Sequence, residues 1–74
     1  MKLFSAALHQ TVVFPIFIIP VSDGTFVAWD PIGKSRIYKK GTTEAAHWPT
    51  RSEAEIQAVK LLNKKYGPQE WEFL

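Results

Sequence analysis

The chain has 74 residues, of which 46% are hydrophobic and 14% aromatic, with no cysteine and a formal net charge of +2 at pH 7. This length suits one small domain spanning residues 1–74, one that buries only roughly 60% of the surface its unfolded chain exposes. The lack of cysteine excludes disulfides and thiolate metal sites, so among the usual devices for stabilising a core below about 80 residues the association of a second subunit is the one left.

At the N-terminus, Leu3, Phe4, Ala7 and Leu8 would share one side of a short helix, but residues 1–10 carry too little pattern to separate helix, strand and irregular chain. From Leu3 to Ser22 no residue is charged if His9 is neutral, and about 20 such residues would span a bilayer as a helix. His9, Gln10 and Thr11 interrupt the apolar run, and Pro15 and Pro20 fall in its most apolar half, so insertion is the weaker reading. A signal peptide meets the same interruption, and no small-x-small cleavage motif follows Val21. A membrane-associated or exported protein is therefore the third reading of this chain. The absence of cysteine fits a reducing compartment, and the expected location is cytoplasmic.

Thr11 to Val21 is apolar at nearly every position and rich in β-branched and aromatic residues, which predicts a strand. Its two prolines lack the N–H that a central strand donates, which points to a sheet edge. Ser22-Asp23-Gly24 predicts a tight turn, and Thr25 to Asp30 a second strand with Phe26 and Ala28 on one face and Val27 and Trp29 on the other. Asp30-Pro31-Ile32-Gly33 predicts another turn. A third strand over Lys34 to Lys40 would aim Lys34, Arg36, Tyr38 and Lys40 one way and Ser35, Ile37 and Lys39 the other. Ala45 to Trp48 is a short further extended piece.

After Pro49, Thr50 and Glu53 form a capping box that starts a helix at Arg51. Ala54, Ala58, Val59, Leu61, Leu62 and Tyr66 make its apolar side, with Ile56 outside the stripe. Lys64 and Lys65 complement the dipole of the last turn, and Gly67-Pro68 ends the helix. Gln69 to Leu74 alternates, with Trp71 and Phe73 on one face, and predicts a final strand. The expected fold is α+β in the order β-β-β-(β)-α-β: a small antiparallel or mixed sheet of 3–5 strands with one long helix packed on one face.

No catalytic, metal or cofactor site is predicted. His9 and His47 lie in no ligand spacing, no glycine-rich phosphate loop opens the helix, and Ser22, Asp23 and His47 share residue types with a catalytic triad only as many chains do. His47, between Ala46 and Trp48, reads as packed or solvent-facing. The leading functional expectation is a non-enzymatic module, such as a compact inhibitor or accessory protein, that works by protein–protein recognition. Three tryptophans and five phenylalanines exceed what one helix on one sheet face hides, and exposed aromatic patches mark interfaces. The expected interface comprises Phe14, Ile16, Phe17, Ile18, Ile19, Val21 and Trp29, and the expected assembly is a homodimer.

The alternative is a small nucleic-acid-binding protein that uses Lys34, Arg36, Tyr38 and Lys40, where cations and an aromatic ring would project from one strand. A plainer account of the same lysines is protection of an exposed sheet edge. The junction His47-Trp48-Pro49-Thr50-Arg51-Ser52-Glu53-Ala54-Glu55 resembles the strand-to-helix junction of small three-stranded nucleic-acid-binding modules such as the hybrid-binding domain of ribonuclease H. That resemblance covers only this junction and consists mostly of capping-box residues. A strand after the helix departs from that family, so no residue roles carry over.

Overall fold

The computed structural model describes residues 13–74, so the expectations for residues 1–10 lie outside the described residues. Helix α1, Arg51–Tyr66, begins where the capping box predicts. Thr50 is extended, at φ −134° and ψ 157°, and its hydroxyl accepts from the Glu53 amide at 3.1 Å, satisfying one of the orphan N–H groups of the first turn. At the other end Gly67 takes φ 84°, with its amide donating to the Asn63 carbonyl at 2.8 Å. That conformation is strained for any residue with a Cβ, which is why a glycine ends the helix.

The long apolar stretch differs from the single edge strand expected of it. It is divided at Phe17 into β1, Val13–Ile16, and β2, Ile18–Pro20. β1 pairs in parallel with β5, Glu70–Phe73, in the register Phe14↔Trp71 and Ile16↔Phe73. β2 pairs antiparallel with β3, Phe26–Asp30, in the register Ile18↔Ala28 and Ile19↔Val27. Successive carbonyls point to opposite sides: the Ile16 oxygen accepts from the Leu74 amide and the Phe17 oxygen from the Trp29 amide, both at 2.9 Å. The stretch thus changes partner at Phe17. Each half is paired on one side, which leaves Pro15 and Pro20 no ladder position that demands a second N–H.

The Ser22-Asp23-Gly24 turn joins β2 to β3 as expected, with Gly24 at φ 89° and its amide on the Val21 carbonyl at 3.0 Å. The third strand is shorter than predicted: β4 covers only Ser35–Arg36, since Lys34 sits at φ 54° in the turn before it and beyond Arg36 the pairing passes to residues 44–46. Beyond β4 the chain stays extended through Ile37 and Tyr38, and Tyr38 bridges Ala45. The predicted piece at 45–48 is present as bridges: Trp48 and Phe26 exchange both backbone hydrogen bonds, at 2.8 and 2.9 Å.

Alternation along these strands sorts the side chains into two faces. Ile16, Ile18, Ala28 and Ile37 point toward the helix and are buried with Ala54, Ala58 and Leu62. Alanine at three of these positions lets helix and sheet approach closely, and Phe26, Trp48, Tyr66, Trp71 and Phe73 pack around the rim. Leu61, expected on the apolar side of the helix, is exposed, as is Ile56. The fold is α+β, with a mixed set of strands and, among the described residues, one helix across one face.

Candidate functional site

Where helix and sheet meet, one carboxylate is buried. Asp30, at the end of β3, keeps 2% of its surface. One oxygen accepts from the amides of Ile32 and Gly33 at 2.9 and 2.8 Å. The other accepts from the Tyr66 hydroxyl at 2.7 Å and the Lys65 ammonium at 3.1 Å. Burial by itself would raise the pKa of Asp30, but the Gly33 amide, the Tyr66 hydroxyl and Lys65 outweigh it and hold the group below its ordinary value. Lys65 is correspondingly raised, by the Tyr66 hydroxyl first and then by Asp30. With every lone pair engaged, Asp30 pins the C-terminal end of α1 to the end of β3, a structural role. Gly33 is required here for space: a Cβ would lie 2.8 Å from the Asp30 Oδ2 and 2.9 Å from the Tyr66 hydroxyl.

The triad-like grouping of Ser22, Asp23 and His47 weighed in the sequence is not assembled. Thr25, rather than Ser22, touches His47, with its Oγ1 2.8 Å from Nδ1. The Thr25 hydroxyl and amide both donate to Asp23, and these two bonds, hydroxyl first, lower the Asp23 pKa. A hydroxyl whose proton is already given to a carboxylate is not poised for attack through a histidine base. The three residues close the base of the β2–β3 hairpin against the chain at 47. Among the described residues no group of three or more His, Asp or Glu side chains is placed to hold a metal ion, and no helix is long and apolar enough to cross a membrane.

The seven residues expected at a protein interface fall into two sets. Ile16 and Ile18 are 0% and 4% exposed beneath the helix, so they belong to the chain's own core and are corrected from surface to interior. Phe14 is half-buried on the same side, its ring 5.5 Å from that of Trp71. Phe17 and Ile19 lie on the opposite face and are 43% and 38% exposed. Trp29 and Val21 are half-buried beside them, and Val13 extends the same line along β1. Because Trp71 turns inward to give its indole N–H to Asn63 at 2.7 Å, Glu70 and Glu72 alternate onto this open face, at the margin formed by β5. Arg36, directly across from Trp29 in the β3–β4 register, stands at the other margin. The open face is therefore apolar in the middle, acidic along one side and basic along the other.

The four residues expected to form a basic ridge do not share one strand face. Lys34 is in a turn, Arg36 lies on the open face, and Lys40 falls in the turn that follows Tyr38. The structure groups different cations: Lys39 and Lys40 line a groove together with Lys64 and Lys65 of α1, with Tyr38 and Leu61 between them. This grouping was missed in the sequence because it joins two segments far apart in the chain. The only local hint was that each held an adjacent pair of lysines.

No family model, curated protein or solved structure matches the chain.

Proposed function

We propose that the chain is a protein-recognition module that acts through the sheet face opposite α1, and that a second copy of itself is the occupant of that face. The observation that carries this reading is the charge order across the face: Glu70 and Glu72 on one margin, Phe17, Ile19 and Trp29 in the middle, Arg36 on the other. In a two-fold face-to-face pairing whose axis runs along the strands, each margin meets the opposite margin of the partner. Arg36 then faces the acidic stripe while the apolar centres cover each other, two sheets stacked roughly 10 Å apart. A heterologous protein would need the same alternation of signs, which this chain already supplies.

Sedimentation at micromolar concentration tests the reading. The expected result is a dimer that Phe17→Glu converts to a folded monomer. Arg36→Glu and Glu72→Arg each weaken association, and the two combined restore it. A wild-type chain that sediments as a folded monomer overturns the proposal.

A further inference from the structure

A second surface, distinct from the open sheet face, carries chemistry of its own at the C-terminal end of α1. The turn after β4 folds toward the last two turns of the helix, and their facing walls form a groove of ≈ 350 Å³ lined by Tyr38, Lys39, Lys40, Leu61, Lys64 and Lys65. It continues into a cleft of ≈ 290 Å³ that also reaches Arg36, Gly41 and Thr42. Four lysines thus border the groove, and Arg36 reaches only the neighbouring cleft, at the margin it shares with the open face. The one carboxylate that lines it is Asp30, buried and saturated by its own partners. Glu44, the nearest other acid in sequence, does not line either cavity.

Lys65 is committed to Asp30, but Arg36, Lys39, Lys40 and Lys64 have no ion-pair partner among the described residues. The remaining acids stand elsewhere: Glu53 and Glu55 at the start of α1, Glu70 and Glu72 on β5, and Asp23 in the β2–β3 turn. A net charge of only +2 therefore hides a segregated distribution, with the positive potential gathered in a concave site where low-dielectric walls focus it. A helix C-terminus is itself unfavourable to anions. Lys64 and Lys65 offset that dipole, and the unpaired cations on the opposite wall leave the groove positive.

We propose that this groove binds single-stranded nucleic acid, its lysines along the phosphates and Tyr38 under a base. Tyr38 is 46% exposed, beside two lysines, where a ring presents a π-face that any base can stack on. The placement of the lysines on two facing walls favours a single strand, which can lie between them, over a planar bilayer. A stacking ring at the groove favours a nucleic acid over an acidic peptide. The lysines also shield a sheet edge, but edge protection requires neither the groove nor the convergence of α1 on it.

Fluorescence anisotropy with labelled oligothymidylate and oligouridylate of about 12 nucleotides, within the span of small single-strand modules, tests the proposal on the full chain. Binding is expected at low salt, with affinity falling as salt rises. Removing one phosphate contact by Lys40→Gln or Lys64→Gln reduces the salt slope by about 0.7. Tyr38→Ala weakens binding about tenfold with the slope unchanged, and Tyr38→Phe restores it. All three positions are exposed, and circular dichroism confirms that the variants fold. Absence of binding at low salt overturns the proposal. So does binding that is indifferent to Tyr38→Ala and equalled by vesicles containing phosphatidylserine, which would identify a surface for anionic lipid. Phe17→Glu leaves binding at the groove intact, so this test and that of self-association fail independently.

Discussion

On the helix side of the sheet, Ile16, Ile18, Ala28 and Ile37 are sealed by Ala54, Ala58 and Leu62, whereas on the opposite side Phe17 and Ile19 keep over a third of their surface in water. The same strands supply both sets of side chains, alternating residue by residue. What separates the faces is the partner. α1 offers alanines that let it lie close and a tyrosine and lysine that engage the buried carboxylate, so the first face is complete within the protomer. The second face has an apolar centre, with Phe17 and Ile19 exposed, between charges of opposite sign, and no described element packs across it.

The strongest break in this contrast is expected from the sealed side. Leu62→Ala removes a side chain that is 2% exposed and should cost about 2–5 kcal/mol by lost transfer energy and cavity formation, measured by urea unfolding. A domain of this size has a total stability on the order of 4–11 kcal/mol, so that loss removes a large share of it. Asp30→Ala should cost about 2–4 kcal/mol, since it strands the Tyr66 hydroxyl and the Gly33 amide without an acceptor. Gly33→Ala attacks the same network by crowding and should cost about 1–3 kcal/mol.

Acid titration separates the faces by another route. Asp30 is held below its ordinary pKa, so the fold favours its charged form. That stabilisation is present in full above the unfolded value, 3.8, and is lost as pH falls from there through the lower folded value. Thermal unfolding followed from pH 6 down to pH 2 should show wild type losing stability across that acid window and Asp30→Asn losing less. On the open side, Phe17→Ser should change protomer stability by no more than about 0.5 kcal/mol while still reducing self-association. A small effect is also expected for Lys65→Met. Its ammonium is largely solvated, at 59% side-chain exposure, so loss of the pair with Asp30 should cost below about 1 kcal/mol, and less in high salt.

Legibility from sequence followed the range of the interactions. The helix was readable at both ends because its start depends on Thr50 and Glu53 and its end on Gly67, all local chemistry. The turn at Asp23-Gly24 was readable for the same reason. The division at Phe17 was not, because Thr11 to Val21 is apolar on both faces and carries no alternation to show where one partner gives way to another. That choice is made by Trp71 and Phe73, far along the chain. The short β4 is not legible either, since Lys34 adopts a left-handed conformation that its residue type does not advertise and the chain after Arg36 turns to pair with residues 44–46. The stretch apolar on both faces marks Phe17 and Ile19 as candidate interface residues, but it marks Ile16 and Ile18 equally, because burial depends on where the helix lands. The basic groove needed the fold outright.

The division at Phe17 also bears on the order in which the parts come together and come apart. β2, β3 and β4 join neighbours through tight turns, whereas β1 must find β5 across most of the described chain, a closure with a larger entropic cost. Amide hydrogens of the β1–β5 pair should accordingly exchange with solvent sooner than those of β3, through openings that leave the hairpin and its helix standing.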